Sequence, residues 1–240
     1  MRIVIAGPPK TGNVWLKRLL ASTYGLRLLE TGAFPERPNL PDLEAWLRDT
    51  GFPDNSIFHQ HYDYTPGLAD ALEAVPAHLV TIVRNPYDTF VSAYFAQQKA
   101  AESGQRMNRR NDPIAGKPID SPEVYEYLRS GGFRRSMMRA RDWIQSGRSH
   151  IVRYEDLMSD PVTALGNLAE ALGHPVPVET LERAIEINSA ENLRKMGGDI
   201  ANHVRVAKVG DSHDKLTDRH LEIFRDLHAT LITDMGYEVR

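Results

Sequence analysis

Residues Met1–Trp15 read MRIVIAGPPKTGNVW, and the order of residue types in that stretch decides the fold. Ile3-Val4-Ile5-Ala6 is a short β-branched run, and Gly7 to Gly12 is rich in glycine and proline. A helical pattern follows from Val14, with Leu16, Leu19 or Leu20, and Thr23 falling on one face. Strand, loop and helix in this order aim backbone N–H groups and the positive end of a helix dipole at one anion. A nucleoside-triphosphate loop would read G-x-x-x-x-G-K-[ST], with lysine directly after the second glycine. Gly7 and Gly12 keep that glycine spacing, but Asn13-Val14 follow them, and the lysine comes earlier, at Lys10. Val14 also removes the hydroxyl that binds magnesium in that motif. The loop is built to hold a phosphate without recruiting a metal.

The rest of the composition narrows the class. A chain of 240 residues fits one α/β domain, and a 41% hydrophobic content is enough to bury a substantial core. The absence of cysteine excludes disulfides, thiol catalysis and cysteine-ligated metals together. No N-terminal stretch has the length of a signal-peptide core. No apolar run approaches the roughly 20 residues of a membrane span, so a cytoplasmic protein is expected. A net charge of −3 argues against general nucleic-acid binding, so any basic site must be local.

Apolar β-rich runs recur at Ile3–Ala6, Ile57–Phe58, Leu79–Val83 and Ile151–Tyr154. Helical patterns separate them at Val14–Tyr24, Leu40–Asp49, Ala69–Ala74, Pro86–Ala101, Val124–Gln145 and Pro161–Leu172, and Leu216–Met235 reads as a terminal helix. Strands alternating with helices predict βαβ units. The expected architecture is an α/β fold, a P-loop-like three-layer α/β/α arrangement around a central, mostly parallel sheet, in a single domain over residues 1–240. The polar stretch 97–117 carries Lys99, Arg106, Arg109, Arg110 and Lys117 against Glu102 and Asp112, and reads as a long mobile loop.

In such a sheet, ligands bind beyond the carboxyl ends of the strands. Arg84-Asn85-Pro86-Tyr87-Asp88-Thr89-Phe90-Val91-Ser92 follows the third run. Asn85 is a candidate N-cap and Pro86 suits the first helical position. Arg84 is placed to bond a phosphate, with the Ser92 hydroxyl two turns into the helix. After the second run, His59 and His61 stand at i and i+2, on one face of a strand. From these residues alone they read as a metal pair, which needs two further ligands with Asp63 the only nearby candidate, as structural histidines, or as a proton acceptor.

Taken together these strings resemble the PAPS-dependent sulfotransferases. Pro9-Lys10-Thr11-Gly12-Asn13-Val14-Trp15 is similar to that family's 5′-phosphosulfate loop. The Arg84-Asn85-Pro86-x-Asp88-x-x-x-Ser92 string is similar to its 3′-phosphate motif at every defining position. The resemblance implies transfer of a sulfuryl group from 3′-phosphoadenosine 5′-phosphosulfate (PAPS) to an acceptor hydroxyl or amine, directly and in line, releasing PAP and using no metal. It implies His61 as general base, Lys10 at the leaving phosphate oxygen, and Ser92 holding Lys10 idle until the acceptor arrives. His59 stands where many members have lysine.

The loop residues Thr11, Gly12, Asn13 and Val14 would hold the phosphosulfate, with Val14 replacing a common threonine. Trp15 would stack on the adenine, with Tyr154 of the Tyr154-Glu155-Asp156-Leu157 string nearby and Asn188 contacting from a loop; the plain alternative for both aromatics is core packing. Arg205-Val206-Ala207-Lys208-Val209-Gly210-Asp211-Ser212 aligns with the family's R-K-G-x-x-G-D-W loop. Arg205, Gly210 and Asp211 match, while Val206, Ala207 and Ser212 replace lysine, glycine and tryptophan; Lys208 can restore the lost charge. The acceptor implied is a small molecule or a glycan or glycolipid, the latter suggested by Arg134, Arg135, Arg139 and Arg141, which also fit a solvated helix face. The family's dimerisation motif is mostly absent, leaving oligomeric state open. Two rivals remain: a non-catalytic nucleotide-binding protein of this fold, and a P-loop kinase.

Overall fold

The computed structural model describes residues 1–30, 32–35, 39–102, 114–195 and 209–240. The chain divides into two compact units, one of Met1–Val83 with Asp142–Lys208 and one of Arg84–Arg141 with Val209–Arg240.

The first unit holds the sheet. Its strands are β1 (Arg2–Ala6), β2 (Arg27–Leu28), β3 (Ser56–Gln60), β4 (Ala77–Val83) and β5 (His150–Arg153). They lie in the order β2-β3-β1-β4-β5, and every pairing is parallel. The chain passes from β1 to β2 at one edge, returns through β3 and then crosses β1 to β4 and β5 on the other side, which puts the switch point of the sheet at the carboxyl end of β1. Register aligns Ala6 with Gln60, so the chains leaving β1 and β3 depart at one level.

Side-chain alternation explains why β1 reads as an unbroken apolar run. Ile3 and Ile5 join Ile57, Val80 and Ile82 on one face, under α1 (Asn13–Tyr24). Leu165, Leu168 and Leu181, from the helices Pro161–Ala171 and Val178–Ile187, close the same layer. Val4 and Ala6 join Phe58 and Leu79 on the opposite face. There they meet Leu43 of α2 (Leu40–Asp49), Leu68 and Leu72 of α3 (Pro66–Glu73), and Trp143. A sheet covered on both faces must be apolar at consecutive positions, and the result is the expected three-layer α/β/α fold.

The second unit is helical. It contains α4 (Pro86–Glu102), α5 (Pro122–Arg129), most of α6 (Gly131–Ser146) and a last helix (Asp218–Asp234) preceded by a 3-10 turn at Asp211–Asp214. Its interior is aromatic: the Phe90 ring lies 5.3 Å from Phe133 and 5.9 Å from Phe224, both edge-on.

Two sequence expectations need adjustment. The pattern over Val124–Gln145 is two helices, because Ser130 adopts an extended ψ of 161° and its hydroxyl turns back onto the Tyr127 carbonyl. Helix α4 runs to Glu102, so the first residues of stretch 97–117 are helical; residues 103–113 lie outside the described residues.

Candidate functional site

The loop after β1 is fixed by its own side chains. Thr11 Oγ1 donates to the Pro8 carbonyl at 3.0 Å, and Asn13 Nδ2 donates to the same oxygen at 2.7 Å. Both residues are buried, so the loop's shape does not depend on solvent. Two residues take positive φ: Lys10 at 69° and Gly12 at 104°. For Lys10 that conformation costs about 1–2 kcal/mol, a cost sustained where the loop must point its amides inward. For Gly12 it is free, and the glycine is required a second time, because an added Cβ would stand 2.8 Å from a ring carbon of Tyr154.

Helix α1 then begins at Asn13 with Gly12 as its N-cap and no side chain capping it. The first amides of a helix have no acceptor within the helix. Those of Asn13, Val14 and Trp15 therefore stand at the loop end of the helix together with the positive end of its dipole, a combination that favours an anion.

His61 stands one residue beyond β3. Its Nδ1 lies 2.9 Å from the carbonyl oxygen of Gly7. A carbonyl only accepts, so Nδ1 carries the proton and Nε2 of the neutral ring keeps its lone pair. The chain beyond is anchored: Tyr62 is buried, and its carbonyl accepts from Trp143 Nε1 at 2.9 Å. His59 is on the same strand face, its ring centroid 6.0 Å from that of His61.

An aromatic corner completes this unit's site. Half-buried Trp15 meets Tyr154, the first residue of helix Tyr154–Ser159, edge to face with ring centroids 6.2 Å apart. The indole Nε1 donates to the Asn188 carbonyl at 3.1 Å. The Asn188 side chain is buried and bonds inward, its Nδ2 reaching Ser22 Oγ and the Ala184 carbonyl, each at 2.8 Å. Asn188 thus touches this corner through its backbone, by holding Trp15.

In the second unit, Arg84 is buried and immediately precedes the first turn of α4, whose start matches expectation. Asn85 Oδ1 accepts from the Tyr87 amide at 3.0 Å, and Pro86 is the first helical residue. Ser92 is half-buried two turns along. Asp88, which sequence reasoning left without a role, accepts from the amides of Gly210 at 2.7 Å and Ser212 at 2.9 Å. Arg205, Ala207 and Lys208 lie outside the described residues. Of the basic cluster on α6, Arg134 donates to the Leu227 carbonyl at 2.9 Å.

The sulfotransferase domain family matches residues 1–236 of the sequence. The chain belongs to the sulfotransferase family. Among relatives, cytosolic sulfotransferase 7 of Arabidopsis thaliana is 26% identical over 90% of this chain and 74% of its own length. Cytosolic sulfotransferase 15 of the same plant is 27% identical over 81% of this chain, which spans 58% of that protein. Among solved structures, mouse sulfotransferase SULT7A1 complexed with PAP superposes with a TM-score of 0.68 at 17% identity, over 96% of this chain and 83% of that one. A retinol dehydratase in complex with androsterone and inactive cofactor PAP superposes with a TM-score of 0.61 at 14% identity, over 100% of this chain and 83% of that one. The three-layer sulfotransferase fold and the family are therefore shared, with sulfuryl transfer as the general chemistry. Among the described residues, no helix is long and apolar enough to cross a membrane.

Proposed function

We propose that this chain transfers a sulfuryl group from PAPS to an acceptor hydroxyl or amine and releases PAP. The observation that carries the reading is the placement of His61, its Nδ1 bonded to Gly7 at the root of the anion loop, so that Nε2 is the basic atom. A neutral imidazole positioned at the acceptor takes its proton as a general base. The acceptor's lone pair then forms the new bond to sulfur, the bond from sulfur to the 5′-phosphate oxygen breaks, and the acceptor's proton ends on Nε2.

Lys10 is assigned to the charge that develops on the departing oxygen, and the Thr11–Val14 loop amides to the sulfuryl and phosphate oxygens. The residues present fit such a group: α1 starts without a side-chain cap, and Gly12 leaves its Cβ position to the Tyr154 ring. Trp15 and Tyr154 are assigned to the adenine. Arg84 and Ser92, with Arg205 and Lys208, are assigned to the 3′-phosphate from the family motifs, and Ser92 also to restraining Lys10. The acceptor class is a small molecule or a glycan or glycolipid.

Thermal shift with PAP, and separately with ATP and Mg²⁺, tests the reading. A ligand that binds only the folded state adds about 2.7 kcal/mol at a hundredfold excess over Kd. PAP alone is expected to stabilise the protein, followed by sulfate transfer to members of an acceptor panel. A preference for ATP and Mg²⁺ would point instead to a kinase. Stabilisation by PAP with transfer to no acceptor would point to a binding module.

A further inference from the structure

The family pattern places tryptophan after the Gly-Asp pair of its C-terminal loop, and this chain has Ser212 there. Ser212 is nevertheless buried, at 2% exposure, so the exchange has not opened the position to solvent. Its hydroxyl accepts from Arg240 Nη1 at 3.0 Å, and its amide donates to Asp88. Arg240 makes two further contacts. Its backbone amide donates to the Tyr87 hydroxyl at 2.8 Å, and its guanidinium carbon sits 5.0 Å from the centre of the Tyr87 ring.

These contacts converge on one helical turn. Tyr87 is fully buried against Phe224, ring centroids 4.4 Å apart, and Asp88 is 2% exposed. A carboxylate so deeply buried is tolerated because two amides bond it, and bonds to an ionised acceptor are the strong ones. The same turn holds the backbone of Arg84, whose carbonyl accepts from Thr89 Oγ1 at 3.4 Å. A force that holds Tyr87 and Asp88 therefore also holds the residue that precedes them.

We propose that Arg240 is a positioning residue for nucleotide binding: by clasping Ser212 and Tyr87 it fixes the first turn of α4 and, through that turn, the aim of Arg84. A guanidinium suits this task because it stacks on an aromatic face while its N–H groups point outward in a fixed fork. The proposal rests on the reading that Arg84 grips the 3′-phosphate.

Calorimetry with PAP and with AMP, which lacks the 3′-phosphate, isolates that grip. The wild-type protein is expected to bind PAP more tightly than AMP. Arg240→Ala is expected to reduce this preference about tenfold, equivalent to about 1.4 kcal/mol, while leaving the affinity for AMP unchanged. Arg240→Lys should restore part of it, since the charge over Tyr87 remains but the fork does not. In an Arg84→Ala background, adding Arg240→Ala should change nothing further, an outcome that a merely structural role would not produce.

Ser212→Ala removes the bond without touching the stacked guanidinium. It should cost about threefold in preference, and it decides the matter alone if Arg240→Ala does not fold. Full retention of the PAP preference in the folded variants overturns the role of Arg240 and leaves the functional reading intact. A wild-type protein that binds PAP and AMP equally overturns the reading itself.

Discussion

The Nδ1 atom of His61 and the carbonyl oxygen of Gly7 lie 2.9 Å apart, joining the two chains that leave adjacent parallel strands. The register that pairs Ala6 with Gln60 makes this contact, and the Gly7 amide repeats the link by donating to the Gln60 carbonyl at 3.3 Å. Chemistry at one histidine nitrogen is thus set by a backbone group of the anion loop. The tautomer this bond selects is the one in which Nε2 of the neutral ring is unprotonated.

His61→Asn and His61→Ala test that assignment. Asparagine can still donate its side-chain amide to the Gly7 carbonyl but cannot take a proton. Both variants are expected to lose about 10²–10⁴-fold in turnover, the usual contribution of a positioned base. Only the alanine variant should also lose stability, because it strips the side-chain donor from the carbonyl of buried Gly7. Turnover of His61→Asn within a few-fold of wild type would remove His61 from the reaction.

Lys10 and Gly12 separate stability from activity. Lys10→Gly relieves a positive φ of 69°, so its melting temperature should not fall, while turnover should collapse with the loss of the ammonium. Gly12→Ala keeps every charge but must hold φ near 104° and push against the Tyr154 ring. It is expected to lose about 2 kcal/mol or more of stability and to bind PAP more weakly. Unfolding in urea and calorimetry with PAP on the same preparations check both.

What the sequence showed and what it hid follow from the range of the interactions involved. β1 was legible because burial on both faces leaves an apolar run that local reading detects. β2 was not, since Arg27-Leu28 is too short to show a period and owes its place to pairing with β3. The break at Ser130 escaped because apolar residues stand on both sides of it, while the interruption is a backbone torsion; the five-residue step from Leu128 to Phe133 is its trace in the apolar spacing. The residues proposed for the site at Lys10, Gly12 and Arg84 belong to contiguous motifs, which local reading reaches. The tautomer of His61 could not be read locally, because it depends on a carbonyl 54 residues away, nor could the work of Asp88, whose partner amide at Gly210 is 122 residues distant.

Asn188 provides a test of contact against support. Its side-chain donors are committed to Ser22 Oγ and to the carbonyl of buried Ala184. Asn188→Ala should therefore cost about 1–3 kcal/mol of folding stability by stranding the carbonyl of buried Ala184. Asn188→Asp should cost more, because it sets a carboxylate against the Ala184 carbonyl. Loss of PAP affinity without loss of stability would instead place the side chain on the nucleotide.

Acid should destabilise the protein through two buried histidines of the second unit. Burial holds the pKa of His220 below its ordinary value, against an opposing pull from its bond to Ile119 and from Asp120. Burial lowers His228 as well, helped by the charge of Arg134 and opposed by its bond to Leu128. His220 Nδ1 accepts from the Thr217 amide at 3.1 Å and so closes the capping box of the last helix only when unprotonated. Both groups therefore bind protons more readily in the unfolded chain, and their contribution is complete above the unfolded pKa near 6.5 and lost as pH falls through the depressed folded values. The urea midpoint should drop as pH falls below about 7. His220→Gln supplies a side chain that caps the same amide without titrating, and it should flatten that drop, leaving His228 as the remaining source. A pH dependence identical to wild type in His220→Gln would show that the histidine cap does not contribute.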